Sequence, residues 1–189
     1  MRALIVYESM YGNTRLIAEA IGRGLAPAEV ILVPTTQAAG VDLSQVDLLV
    51  VGSPTHVHGM SRPRTRQGAI DAAVTPQRTL HLEADAAGTG VREWLAPLSG
   101  LVCRAAAFDT RQEGPILLTG HAAKSIGKDL LEAGADLVAD AMSFLVTKST
   151  VLVPGEVRRA EAWGAMLLKQ VTAPPRHPPV DTGLITIAT

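Results

Sequence analysis

The sequence is poor in several features that would assign it to a specialised class. Its single cysteine, Cys103, excludes an internal disulfide framework. Aromatic residues make up only 3% of the 189 residues, and a formal net charge of −1 supplies no bulk field for nucleic acid or anionic lipid. No run approaches the roughly 20 apolar residues of a membrane helix. We therefore expect no nucleic-acid partner and no membrane span.

What is present is typical of a globular domain. Apolar residues make up 47% of the chain and charged residues 19%. Met1 and Arg2 lead directly into an apolar strand, without the charged-then-apolar pattern of a secretory leader. We therefore expect a folded domain in a reducing, cytoplasmic setting.

Short apolar runs alternate with segments of helical periodicity. The runs are rich in β-branched residues and short enough to be buried strands. Most of these runs are separated by segments in which apolar residues recur at helical spacing. The predicted strands are 3–7, 30–33, 48–51, 104–108 and 144–146, and the predicted helices are 13–25, 63–73, 122–133 and 157–171, with another beginning near Val91.

This alternation predicts parallel βαβ units and therefore an α/β fold, a doubly wound three-layer sandwich. We expect one domain over residues 1–171. Residues 172–189 contain the pairs Pro174-Pro175 and Pro178-Pro179, which cannot continue a helix, and are predicted to be a Pro-rich C-terminal tail.

The first strand is followed by a loop of small and hydroxyl-bearing residues. The loop runs through Ser9, Met10, Tyr11, Gly12, Asn13 and Thr14 and leads directly into a helix. Backbone N–H groups at a helix N-terminus, together with neutral side chains, can hold a phosphate. The simpler interpretation is a capped helix, with Asn13 or Thr14 as the N-cap. The Gly-Lys-Ser/Thr ending of a Walker loop and the dinucleotide G-x-G-x-x-G are both absent.

Two further loops follow strands three and four. The first contains Pro54, Thr55, His56, Val57, His58 and Gly59; the second contains Asp109, Thr110 and Arg111. In open α/β sheets, ligands bind beyond the carboxyl ends of the strands, where all three loops would meet. A metal at His56 and His58 is disfavoured, because no Cys or third His lies nearby in sequence. The simpler interpretation of the later loop is an Asp-initiated turn with a solvated Arg.

The three loops, taken in order, resemble those of the flavodoxin-like family. Residues 6–14 look like its phosphate-binding loop, and Gly52 to Gly59 look like its second flavin loop. The resemblance implies a five-stranded parallel sheet of order 2-1-3-4-5 and FMN as the cofactor. It places the phosphate at residues 9–14 and the flavin ring at residues 54–59 and 109–111. Tyr11 stands where flavodoxins favour Thr and is more like the flavodoxin-type quinone reductases.

Two functions are compatible with these residues. The first is FMN-dependent electron transfer, or NAD(P)H-dependent reduction of a small acceptor such as a quinone. Its partner would be a redox protein or a reduced nicotinamide nucleotide, and a homodimer is possible. No catalytic acid, base or nucleophile is assigned, because the flavin carries the chemistry. The second is a non-catalytic binding or scaffold protein, which the scarcity of aromatics allows. A phospho-receiver domain is excluded, because strand three ends in Gly52-Ser53-Pro54 without a phosphoacceptor Asp.

Two segments allow more than one interpretation. The basic run from Arg62 to Arg66 is expected to be a solvated helix face; the alternative is contact with a nucleotide phosphate or an acidic partner. Residues 75–90 lie at the ligand edge if the helix near Val91 crosses back to strand four, and are remote if helix 63–73 makes that crossing. Trp94 and Trp163 are expected to be core or interface anchors.

Overall fold

The computed structural model describes residues 1–74 and 80–173, which form a parallel sheet covered by helices on both faces. The first five strands follow the order β2-β1-β3-β4-β5, and β6 also pairs with β4. This confirms the predicted α/β fold and strand order. The strands are β1 Arg2–Tyr7, β2 Glu29–Pro34, β3 Leu48–Pro54, β4 Arg104–Gln112, β5 Asp136–Leu137 and β6 Met142–Val146.

The fifth strand position differs from the prediction. The fifth position holds two short strands: β5 pairs with Arg104 and Ala105, and β6 pairs with the stretch from Phe108 to Gln112. The predicted strand 144–146 is the end of the second. Between β2 and β3 the chain forms only short 3-10 turns, Thr35–Gly40 and Leu43–Gln45.

Six helices cover the sheet or lie at its ends in the part of the chain that the structure describes. They are α1 Asn13–Gly24, α2 Pro63–Ala73, α3 Val91–Leu95, α4 Ile116–Thr119, α5 Ala122–Glu132 and α6 Glu156–Thr172. The predicted tail begins inside α6, since residues 172 and 173 are described, while residues 174–189 lie outside the described residues. The domain boundary at 171 stays a prediction.

The central strands are apolar throughout because both of their faces are buried. Along β1, Leu4 and Val6 point into one core, and Ala3 and Ile5 point into the other. All four side chains have no exposed surface. A strand buried on both sides cannot show a polar–apolar alternation, which explains the continuous apolar runs in the sequence.

One face of the sheet is covered by α1 and α6, which cross in close contact. A Cβ on Gly164 of α6 would lie 2.3 Å from the backbone oxygen of Ile21 in α1. The glycine therefore lets the two backbones approach. Beneath them, Phe108, Phe144 and Trp163 pack edge to face, with ring centroids 6.1–6.4 Å apart. Trp163 is a core residue, as expected.

The other face is covered by α3 and α5. Val91, Trp94 and Leu95 of α3 are buried in the core on this side. Helix α3 therefore returns the chain across the sheet towards β4, and Trp94 is its core anchor. Of the two interpretations of residues 75–90, the first is confirmed for residues 80–90: Glu83 N donates to Met10 O at 2.9 Å, at the carboxyl end of β1. Residues 75–79 lie outside the described residues.

Candidate functional site

The loops after β1, β3, β4 and β6 meet at the carboxyl edge of the sheet, around a small cavity. Nine of the fifteen predicted site residues line it: Met10, Tyr11, Asn13, Thr14, Pro54, Thr55, His56, Thr110 and Arg111. Gln112, Val146 and Thr150 line it too and were not predicted. The cavity measures about 150 Å³. This volume accommodates a phosphate group but not a whole flavin nucleotide, so a ring would have to lie over the mouth.

The other six predicted residues occupy supporting positions. Ser9 is buried, and its Oγ accepts a hydrogen bond from Gly12 N at 3.2 Å. Asp109 is fully buried beneath the cavity. Val57, His58 and Gly59 form a turn outside it.

The N-terminus of α1 opens onto this cavity without a side-chain cap. Gly12, at φ 87°, is the N-cap, so the alternative that Asn13 or Thr14 caps the helix is wrong. The first N–H groups of any helix have no partner inside it, and here they belong to Asn13, Thr14 and Arg15. The first turn holds no acidic residue. This arrangement favours an anion.

Hydroxyl and amide groups join the loops across the cavity. Thr14 Oγ1 and Thr110 Oγ1 are 2.8 Å apart, which links the loop after β1 to β4. Asn13 Nδ2 donates to Thr150 O at 2.9 Å, and Tyr11 Oη donates to Ala69 O of α2 at 2.6 Å. Neutral polar groups therefore link the loops around the cavity, whose wall also includes the charged Arg111.

The loop after β3 folds back in a tight turn. His56 N donates to Gly59 O at 2.8 Å, and Gly59 N donates to His56 O at 3.1 Å. The central residues Val57 and His58 have φ of 44° and 75°, a conformation that is uncommon for side-chain-bearing residues and strained for β-branched Val57. Val57 is 80% exposed at its tip.

His56 is held as a neutral imidazole. Burial lowers its pKa, and so does the nearby Arg66 guanidinium; a backbone hydrogen bond at Thr65 opposes them in part. A neutral ring has both a donor and an acceptor nitrogen. Among the described residues no group of three or more His, Cys, Asp or Glu side chains is arranged to hold a metal ion.

A buried ion cluster beside the site was missed by the sequence analysis. Glu8 Oε2 accepts from Val91 N at 2.9 Å, and Arg66 Nη1 donates to Ser61 Oγ at 2.9 Å and to Glu93 Oε2 at 3.0 Å. The expectation that the whole basic run is solvated is therefore wrong for Arg66, which is 5% exposed. The sequence did contain one indication of this cluster: Glu8 is a charged residue directly at the end of a buried strand.

Residues 80–90 cover the outer side of the loop after β1. Arg15 Nε donates to Glu83 Oε1 at 3.0 Å, and its Nη1 donates to Glu19 Oε1 at 2.7 Å. The Arg15 charge next to the α1 N-terminus is thus paired within the protein, which leaves the neutral donors facing the cavity.

Comparisons with known proteins show which fold this chain is similar to. A flavodoxin-domain family model matches residues 4–65. An archaeal flavodoxin superposes with a TM-score of 0.58 at 21% identity, covering 92% of this chain and 100% of that one. Flavodoxin 1 from Bacillus cereus gives 0.58 at 18% identity over 89% and 98% of the two chains. A flavodoxin from Streptococcus pneumoniae gives 0.55 at 18% identity over 89% and 97%. The chain therefore has a flavodoxin-like fold.

The comparison with curated protein sequences found no match. Within the described residues, no helix is long and apolar enough to cross a membrane.

Proposed function

We propose that the protein binds FMN at the carboxyl edge of its sheet and uses it to transfer electrons. The observation that carries this proposal is the uncapped N-terminus of α1, which opens onto a cavity walled by all three predicted loops. Asn13, Thr14 and the neighbouring backbone amides would hold the phosphate. The absence of an acid from the first turn suits an anionic ligand.

The ring end of the proposed site is more open than the phosphate end. Thr55 and the neutral imidazole of His56 supply hydrogen-bonding groups at the cavity, and the apolar Val57 is exposed beside it. Bound FMN would supply reversible one- and two-electron chemistry. The reductant we propose is a redox protein or a reduced nicotinamide nucleotide, and the acceptor a small molecule such as a quinone. A cytoplasmic setting and a homodimer stay predictions.

The decisive experiment compares FMN with riboflavin, which lacks the phosphate. Asn13→Asp places a negative charge in the first turn of α1 while nearly preserving side-chain size. We expect this variant to bind FMN at least about tenfold more weakly, roughly 1.4 kcal/mol, and riboflavin almost unchanged. Fluorescence titration of the apoprotein gives both affinities.

The matched control is Gln45→Glu. It makes the same change in net charge on an exposed residue just before β3, at the opposite edge of the sheet. FMN affinity should be unaffected there. If Asn13→Asp weakens the binding of FMN and riboflavin equally, the proposed phosphate site is wrong. If the wild-type protein does not bind FMN at all, the site is also wrong, and the result favours a non-catalytic scaffold protein.

A further inference from the structure

Three buried polar atoms beside the proposed site have no hydrogen-bond partner: Asp109 Oδ1, His121 Nε2 and Ser143 Oγ. Asp109 and Ser143 are register partners on the adjacent parallel strands β4 and β6. His121 is the N-cap residue of α5 and interacts electrostatically with Asp109. Polar atoms from three elements therefore lie close together in the interior without hydrogen-bond partners. This is uncommon, because buried polar groups are normally hydrogen-bonded.

The other oxygen of the Asp109 carboxylate reaches the wall of the proposed site. Its Oδ2 accepts from Thr55 Oγ1 at 3.1 Å and from Ala123 N at 2.8 Å. Thr55 Oγ1 in turn accepts from Ala122 N at 3.1 Å, and Thr55 lines the cavity. The side chain of Thr55 therefore lies between the buried Asp109 carboxylate and the cavity where the flavin is proposed to bind.

His121 connects this carboxylate to solvent. It lines an open groove beside α5 together with His58, Lys124 and Asp140. The backbone N of His121 also donates to His58 O at 3.3 Å, which ties the loop after β3 to the start of α5. A proton can thus arrive from the groove without passing through the cavity.

We propose that the buried cluster of Asp109 and His121 takes up one proton from solvent when the bound flavin is reduced. The proposal rests on the proposed function, with the electrons supplied by its reduced donor. Negative charge added in the cavity favours a proton on a nearby buried group, since such a charge is poorly screened there. The incoming proton crosses His121 from the groove and is held within the buried cluster, where His121 Nε2 and Asp109 Oδ1 have no hydrogen-bond partner.

The state of Asp109 agrees with this geometry. Burial raises the pKa of its carboxyl, while the Ala123 N–H, the Ser143 hydroxyl, the positive charge of a protonated His121 and the Thr55 hydroxyl lower it in part. The Ser143 hydroxyl is close enough to act on that pKa, although its geometry falls short of a hydrogen bond. The groups that face the pair are therefore neutral Thr55 and Ser143 on the cavity side, and His58, Lys124 and Asp140 in the groove.

The test counts protons taken up per flavin when FMN-loaded protein is photoreduced in weakly buffered solution containing a pH indicator. Asp109→Asn keeps the shape and an acceptor oxygen but removes the titrating group. We expect it to take up fewer protons than the wild type near neutral pH, by up to about one per flavin, because an amide cannot take up a proton in this range. His121→Gln should show the same deficit.

His121→Gln also guards against misfolding of the Asp109 variant, because the hydrogen bond that His121 makes to His58 O comes from its backbone N–H, which the substitution keeps. His81→Gln is the matched control, since it removes an exposed histidine from residues 80–90. It should take up as many protons as the wild type.

The outcomes separate the two proposals. Failure of the wild type to bind FMN overturns the proposed function, and this inference with it. Normal FMN affinity in all variants with identical proton uptake overturns the inference alone. A deficit in His121→Gln with unchanged FMN affinity supports it.

Discussion

Glu8 is a carboxylate placed where a buried strand meets the candidate site, and its surroundings make it sensitive to pH. Burial raises its pKa, while hydrogen bonds from Ser61 and Val91 and the charge of Arg66 lower it in part, and Glu93 raises it further. The net direction is upward. The folded protein therefore holds this proton to a higher pH than the unfolded chain does.

The resulting contribution to stability has a definite sign. It is fully present below the unfolded pKa of about 4.3 and is lost as pH rises through the folded pKa. We predict that the unfolding free energy of the wild type, relative to Glu8→Gln, increases by roughly 1 kcal/mol as pH falls from 7 towards about 4.5. Urea unfolding of both proteins across this range measures it.

Glu113→Gln is the control, since it removes one exposed carboxylate. The difference in unfolding free energy between wild type and Glu8→Gln should grow as pH falls. If it stays constant or shrinks, the pKa of Glu8 is not raised in the folded protein.

At the scale of elements, helix and strand periodicity predicted most of the fold, because both kinds of element bury apolar faces. The order of the sheet came from the resemblance of the loops. The split between β5 and β6 was not predictable, since Asp136–Leu137 is too short to show a pattern. The local sequence pattern also could not predict that Arg66 is buried, because its partner Glu93 lies 27 residues further along the chain.

The α1–α6 crossing gives a prediction at this scale. Gly164→Ala forces a methyl group to within 2.3 Å of the Ile21 oxygen, a backbone atom that cannot move without shifting α1. We expect a loss of roughly 1–3 kcal/mol in unfolding free energy, as for overpacked cores. Urea denaturation is the measurement.

Gly68→Ala in α2 is the matched control, because an added Cβ there meets nothing within 4 Å. It should leave stability unchanged or raise it by up to about 1 kcal/mol through helix propensity. Equal effects of the two substitutions would mean that the helices do not cross as closely as described.

On the scale of the whole molecule, both cores are built from residues between Ala3 and Val171. The sheet also ends within this range, at Val146 of β6. The two cores share the strands between them, so we expect the described part of the chain to unfold as one unit.

We therefore predict that a chain ending after Ala173 keeps the unfolding free energy of the full chain to within about 0.5 kcal/mol, as changes outside the core generally do. Thermal and urea unfolding of both chains provide the measurement. A larger loss would show that residues 174–189 contribute to the fold, against the predicted tail.

The two-part fifth strand has a consequence for behaviour at high concentration. A long outer strand presents an unbroken row of amide and carbonyl groups to which a second molecule can add its own strand. Here β5 pairs with β4 over two residues and β6 pairs with it over five. Between these two segments, the backbone bond from Val138 N to Ala105 O still joins the chain to β4. The interruption limits the continuous edge of the described residues to the five residues of β6, and Val153 N already donates to Leu145 O there at 2.9 Å. We therefore expect this side of the sheet to add strands from a second molecule less readily than an unbroken edge would.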